Sequence, residues 1–381
     1  MINILFIHQS AELYGSDRTL LLLLTKLDKS RFHPVVVLPE TGPLQAELEK
    51  QNIKVVIAPV LKLYRKMFTI KNIALFLKQV RSALKTLKEL DKTYHFDIIY
   101  SNTLAVLLGM IYAKKSGKKH LWHVHEIIVH PRLIAQTFPK LLKKYANTVV
   151  CNSNATRQNL VARIPDLAGK TVVIHNGLSP RKKEFIKVDK SQLGFRERDI
   201  IITLIGRISR LKGHKLLLEM YINHLANKEN IKLLFIGSPV PGQEYYLEEI
   251  EQLIHTHHLG DDVKILPFTK ELDAFFEVSD IIVVPSTEAE SFGLVALEAM
   301  LSHKPVIGSN HGGLTEIIAD NETGFLVTPN DSKALAKAIQ KLTENEKLRM
   351  EFGEKGYQRA VSEFSEERYL NQFETLFERM R

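Results

Sequence analysis

Two carboxylates eight positions apart, Glu290 and Glu298, bracket the segment Glu290-Ser-Phe-Gly-Leu-Val-Ala-Leu-Glu298. The segment follows an apolar strand pattern at 281–284 and opens a helical one, so Glu290 precedes the helix and Glu298 lies about two turns inside it. Backbone N–H groups around Phe292, Gly293 and Leu294 have no acceptor within such a helix. Together with the helix dipole they attract phosphate. Glu290 can accept from sugar hydroxyls and Glu298 from a ribose; the plainer alternative is a Glu290 that caps the helix and a Glu298 on the surface.

A second group, Gly206-Arg207-Ile-Ser-Arg210-Leu-Lys212-Gly213, lies between another strand pattern and its helix. From that turn Arg207 supplies a planar fork and Lys212 a mobile point charge, a pair suited to a diphosphate and to the charge that builds on a departing phosphate. A solvated basic turn is the alternative. In Trp122-His123-Val124-His125-Glu126 the period of two sends both histidines to one face at a strand end, with no third ligand spaced for zinc. Asn102 and Ser153 also end strand patterns, where they can stand at a cleft rim but read first as turn and cap residues, and His255-Thr-His257-His258 reads as a solvated helix terminus. The chain has no Gly-x-Ser-x-Gly and no Asp-x-Asp, so neither a serine nucleophile nor a metal bridge to phosphate is indicated.

The elements that must position these residues alternate along the chain. Short apolar runs at 1–9, 34–38, 55–58, 97–101, 120–125, 148–151 and 172–174 are mostly separated by amphipathic helical segments, and a second series runs through 200–204, 232–236, 263–266, 281–284, 305–308 and 324–327. Such alternation implies parallel sheets covered on both faces. The predicted organisation is α/β, with an N-terminal Rossmann-like domain over 1–178 and a second over 179–360 that begins with a polar linker at 179–199. A C-terminal helix over 361–381 is expected to pack back on the first domain. Two such domains bring the carboxyl ends of their strands to a central cleft.

Gly206-Arg207, Lys212-Gly213, Glu290, Glu298 and His311-Gly312-Gly313-Leu314-Thr315-Glu316 together resemble the donor domain of retaining glycosyltransferase family 4. The likeness is dense over 200–329 and looser but extended over the first half. It implies the GT-B fold and transfer of a sugar from a nucleotide-diphospho-sugar, UDP before GDP, to a hydroxyl of a glycan or glycolipid. It also implies retention at the anomeric carbon, with no required cofactor or metal. By the same resemblance Arg207 and Lys212 hold the diphosphate, Glu290 the sugar hydroxyls and Glu298 the ribose, helped by the amides of Phe292, Gly293 and Leu294. His125 takes the active-site histidine position, and Gly15 and Ser16 match a phosphate-side loop that usually carries two glycines. An epimerase or phosphorylase of the same fold is the competing enzyme class.

The 381 residues carry a net charge of +9 that hides an asymmetry: residues 1–180 hold 26 Lys and Arg against 11 Asp and Glu, and the remainder holds 26 against 32. Basic residues at 62, 65, 66, 71, 78, 81, 85 and 88 interleave with apolar ones, a pattern that suits an anionic membrane face and a lipid-linked acceptor; the plainer alternative is a helix packed on the sheet with its lysines in water. A nonenzymatic basic module is the remaining class, but no nucleic-acid motif accompanies the charge. One cysteine, Cys151, excludes an internal disulfide, and no apolar run reaches membrane-spanning length. The expected location is the cytoplasm, with peripheral attachment to the inner face of the cell membrane.

Overall fold

The computed structural model describes residues 1–61, 70–180 and 187–381, and side chains of 70–77 are outside that set. The chain divides into two compact units, residues 1–177 with 366–381, and residues 178–365.

The first unit is built on β1 (Ile2–His8), β2 (Phe32–Leu38), β3 (Lys54–Ile57), β4 (Ile98–Asn102), β5 (Lys119–Val124), β6 (Thr148–Cys151) and β7 (Thr171–Val173). All are parallel, in the order β3-β2-β1-β4-β5-β6-β7. Helices α1 (Gly15–Lys26), α2 (Pro43–Lys50), α3 (Ile70–Tyr94), α4 (Leu108–Ser116), α5 (Arg132–Tyr145) and α6 (Asn154–Val161) make the crossovers. Neighbouring residues of β1 feed opposite faces: Leu5 and Ile7 belong to one apolar core, Ile4 and Phe6 to another. Burial on both faces is why the strand reads as a continuous apolar run.

The second unit carries β8 (Ile200–Ile205), α7 (His214–His224), β9 (Ile231–Ile236), α8 (Tyr245–Thr256), β10 (Val263–Leu266), α9 (Asp273–Val278), β11 (Ile281–Val284), α10 (Leu294–Leu301), β12 (Val306–Ser309), α11 (Leu314–Ile317) and β13 (Gly324–Val327). Its parallel order is β10-β9-β8-β11-β12-β13. Helices α12 (Ser332–Thr343) and α13 (Glu346–Glu363) follow, capped by Asp331 and Asn345, whose side chains accept from Ala334 N and Leu348 N. Residues Arg181, Lys182, Lys183 and Glu184 of the polar connector lie outside the described residues. Residues 187–199 pack on this unit, with Phe195 buried and the Lys190 ammonium donating to Asp199 O at 2.6 Å and to Asp280 at 3.2 Å.

In each sheet the strand order reverses once, between β1 and β4 and between β8 and β11. Crossovers leave that point in opposite directions, so the loops beyond the carboxyl ends diverge there and open a crevice.

The basic segment of the first half is described only in part: Lys62, Arg65 and Lys66 lie outside the described residues, as does the Lys71 side chain. From Lys78 onward α3 exposes Lys78, Arg81, Lys85 and Lys88 and buries Ala83 and Leu87 in the core, with Val80 and Leu84 packed beside them. Over that stretch the apolar face is used by the sheet, not left open. No helix among the described residues is long and apolar enough to cross a membrane.

Helix α14 (Glu366–Met380) closes the first unit. Its Phe373 and Phe377 are fully buried, Phe377 meeting Phe6 edge-on at 6.1 Å and Phe32 at 5.9 Å between ring centroids. Arg31 adds bonds to Glu374 at 2.8 Å and Glu378 at 2.6 Å, a largely solvated pair of contacts worth little beside the ring burial. Phe377→Ala is therefore expected to lower unfolding stability by about 3–5 kcal/mol in denaturant titration, and a loss below about 1 kcal/mol would show that α14 is not a core element of this unit.

Candidate functional site

Within the second unit, three loops converge beyond the β8/β11 reversal. The first leaves β8 at Gly206 and exposes Arg207. It ends at Gly213, whose φ is +79° and where a Cβ would stand 2.2 Å from Pro285 O. Only glycine allows that approach. It carries Lys212 to Glu290, with Nζ donating to Oε1 at 2.6 Å. The second loop follows β11 and supplies Ser286, whose hydroxyl donates to the same Oε1 at 2.6 Å. Both bonds fall on one oxygen, which leaves Oε2 as an acceptor for a ligand.

The third loop follows β12. His311 donates from Nε2 to Ser286 O at 3.0 Å, and Gly313 N donates to Glu290 O at 2.7 Å. Gly312, at φ +63°, passes so close that a Cβ would lie 2.2 Å from Glu290 O. The His-Gly-Gly triplet thus clamps the backbone that presents Glu290. Burial pushes the Glu290 carboxyl up, but the Lys212 charge and hydrogen bond, Ser286 and His311 outweigh it and hold the group below its ordinary range. At neutral pH Glu290 is an ionised, accept-only group.

Gly293, with φ +109°, is the N-cap of α10 and no side chain caps that helix. Glu290 is therefore a partner of Lys212 and not a helix cap. Phe292 is buried, Gly293 and Leu294 are half-buried, and Glu298 is only 3% exposed in the second turn, so the surface-carboxylate alternative for Glu298 is excluded.

In the first unit, His125 follows β5 and is half-buried. Its Nε2 lies 2.9 Å from Asn102 Oδ1, and Asn102 Nδ2 lies 3.0 Å from His8 Nδ1. His8 Nε2 lies 2.5 Å from Asp17 Oδ1, and Asp17 Oδ2 accepts from Tyr14 N at 2.8 Å. Gly15 and Ser16 start α1 between those contacts. His8 and Asn102 are register partners on β1 and β4, so this chain too sits at a strand-order reversal. His123 shares the face of His125, their ring centroids 3.9 Å apart. His123 is fully buried, with Nδ1 2.6 Å from the Tyr100 hydroxyl, which makes it a core residue and leaves His125 as the one at the rim. Burial, aided by His8 and opposed by Asp17, pushes His125 down to about 3, so the ring is neutral at neutral pH.

Sequence reasoning placed Asn102 in a turn. The structure corrects this: its side chain is buried between two rings. Ser153 does cap α6, accepting from Thr156 N at 3.0 Å. His8, Asp17 and Ser286 were not singled out. The signals available were a histidine ending an otherwise apolar strand and a serine one helical turn before Glu290. His255, His257 and His258 are exposed around the end of α8, and among the described residues no group of three His, Cys, Asp or Glu could hold a metal ion.

Comparison with known proteins adds two family matches: Glycosyltransferase Family 4 over residues 14–182 and Glycosyl transferases group 1 over residues 185–359. A Staphylococcus aureus capsular polysaccharide biosynthesis glycosyltransferase is 31% identical over 47% of this chain and 46% of its own length. A Bacillus anthracis N-acetyl-alpha-D-glucosaminyl L-malate synthase is 29% identical over 51% of each. The chain thus aligns with about half the length of these curated relatives. Among solved structures, Anabaena HepE in complex with UDP-glucose superposes with a TM-score of 0.85 at 24% identity, over 99% of both chains. Sucrose-phosphate synthase from Thermosynechococcus elongatus gives 0.79 at 22%, over 100% and 99%. These likenesses show the GT-B fold.

Glu126, next to His125, provides a pH handle on the first-unit site. Its Oε2 accepts from Leu104 N at 3.1 Å and His125 N at 3.0 Å, yet burial outweighs those bonds and pushes the carboxyl up to about 7. The ordinary value is 4.5, so the folded chain holds an extra proton between about 4.5 and 7. The stability contributed by the neutral group is complete below that window and lost as pH rises through it. Glu126→Gln keeps an acceptor for both amides; its Tm is expected to exceed that of the wild type at pH 8 and to match it at pH 5. An equal difference at both pH values would show that Glu126 does not titrate there.

Proposed function

Because the chain belongs to the group 1, family 4 glycosyltransferases, we propose that it transfers a sugar with retention from a nucleotide-diphospho-sugar, UDP-linked before GDP-linked, to a hydroxyl of a glycan or glycolipid in cell-surface polysaccharide assembly. The observation that carries this reading is the pairing of Lys212 with Glu290 on a single carboxylate oxygen beside the start of α10. A fixed cation, helix-terminal amides and an ionised acceptor lie together at a strand-order reversal. That set matches the three parts of such a donor: diphosphate, leaving charge and sugar hydroxyls.

The roles follow from donor and acceptor capacity. Lys212 has three N–H donors, so it keeps Glu290 while binding a phosphate oxygen, and Arg207 adds a planar fork. The amides of Phe292, Gly293 and Leu294 add donors whose dipole favours the phosphate. As the bond from the anomeric carbon to phosphate lengthens, negative charge grows on the leaving diphosphate and positive charge on the sugar ring. Lys212 and Arg207 stabilise the first without moving, which lowers the barrier and not only the binding energy. Glu290, through Oε2, accepts from sugar hydroxyls, and Glu298 accepts from the ribose. The departing phosphate takes the proton of the incoming hydroxyl, which then attacks from the same face. No metal is needed for this course.

His125, Gly15 and Ser16 are the first unit's candidate contacts to substrate. The same unit recognises the acceptor, with Lys78, Arg81, Lys85 and Lys88 attracting an anionic lipid surface. Support for UDP comes from the fold neighbour bound to UDP-glucose.

The test is acceptor-dependent release of UDP or GDP from a panel of nucleotide sugars, with the anomeric configuration of the product read by NMR and the assay run with and without anionic vesicles. Release of UDP, an unchanged anomeric configuration and a faster rate on vesicles are expected. Glu290→Gln is expected to lose at least about 100-fold in rate. An inverted product would refute the mechanism, and no release from any donor would refute the activity.

A further inference from the structure

The chain of buried side chains from Asp17 to His125 has a direction that the proposed chemistry does not use. Asp17 is fully committed as an acceptor: Oδ1 faces His8 Nε2 and Oδ2 takes the Tyr14 amide. His8 Nε2 therefore carries a proton, and Nδ1 is left to accept from Asn102 Nδ2. The second hydrogen of that amide points to Ser16 O at 3.5 Å. Two acceptors on the nitrogen side fix the orientation of the Asn102 amide, so its oxygen must face His125. An oxygen there accepts, and His125 Nε2 must donate. Asp17, His8 and Asn102 are 1%, 0% and 1% exposed and His125 is half-buried, so water does not compete along the first two links.

Resting on the reading that His125 contacts substrate, we propose that Asp17, His8 and Asn102 are positioning residues. They lock His125 in its Nε2–H tautomer and leave Nδ1 as a neutral hydrogen-bond acceptor for a substrate hydroxyl. A lone pair fixed in this way holds a hydroxyl through its hydrogen, which an imidazolium, or an N–H in the same place, does not do. It also sets a specificity: the position facing Nδ1 takes a hydroxyl and discriminates against a sugar that has only an acceptor there. Because Ser16 O is one of the two acceptors that orient Asn102, the 14–17 loop is tied to the same lock.

The test reads the tautomer directly. Protein labelled with 15N-histidine is examined by long-range proton–nitrogen correlation at pH 7.5, with the His125 signals identified by their loss in His125→Gln. Wild type is expected to show a protonated Nε2 and a bare Nδ1. Asp17→Asn is nearly isosteric and keeps the fold, but its amide cannot accept from both His8 and Tyr14. It is expected to give mixed tautomers at His125, although the two residues share no contact. Asn102→Ala is expected to do the same. Both variants are expected to lose about tenfold to a hundredfold in kcat for UDP release from UDP-glucose, with KM changed less than about threefold. A wild-type His125 that is mixed or protonated on Nδ1, or a tautomer unmoved by both variants, would overturn the proposal. So would unchanged kcat in both variants of an active enzyme. If no nucleotide sugar of the panel is turned over by wild type while the tautomers behave as stated, the functional reading fails and the lock stands.

Discussion

A parallel sheet buried on both faces can only be wound outward from a starting strand in two directions, and the place where the direction changes is the one edge position that crossovers do not cover. In both units of this protein that constraint decides where chemistry is possible. In the second, the loops leaving β8 and β11 meet at Lys212 and Glu290. In the first, the ends of β1 and β4 and the residue after β5 deliver His8, Asn102 and His125. Neither cluster requires an unusual scaffold; each uses the crevice that right-handed crossovers leave open.

The two clusters solve the problem of buried polarity differently. Around Glu290 the cost of desolvating a carboxylate is offset by a charged partner, a hydroxyl and a clamped backbone, so the group stays ionised. Around His125 there is no lysine or arginine bond among the described residues, and its ring neighbours are histidines. Burial keeps the ring neutral, and a directional series of donors and acceptors runs through the core to Asp17. One site is prepared to hold charge and the other to present a neutral lone pair. The glycines at 213 and 312 belong to the first solution, because in each case a single added carbon would collide with a carbonyl oxygen of the neighbouring loop.

The fold was legible in the sequence, and so were the loops that carry Lys212, Glu290 and His311, for reasons that the structure makes explicit. Strands such as β1 and β9 are buried on both faces and so announce themselves as apolar runs. Lys212-Gly213 and His311-Gly312-Gly313 mark backbone contacts that tolerate no side chain, and such contacts leave short, rigid residue patterns. The strand order was not legible, since an alternating pattern is compatible with several windings. Nor was the Asn102 network. His8 and Asn102 are 94 positions apart and meet only through the β1–β4 register, so nothing local distinguishes Asn102 from an ordinary turn residue. The apolar residues from Lys78 onward suit either a membrane face or a core by pattern alone, and packing assigns them to the core.

The pairing of Lys212 with Glu290 beside the start of α10 is the feature on which the functional reading rests, and calorimetric titration with UDP tests it most directly. Lys212→Met removes the charge-assisted bond to the diphosphate but keeps the aliphatic length that packs over Gly206. Loss of one such bond, about 1.5–3 kcal/mol, corresponds to a Kd for UDP weakened by roughly 10- to 150-fold. That result is expected in a variant that stays folded at the assay temperature with a lowered Tm, since Glu290 loses its charged partner; a folded variant that binds UDP as tightly as wild type would contradict the assignment of this loop to the diphosphate.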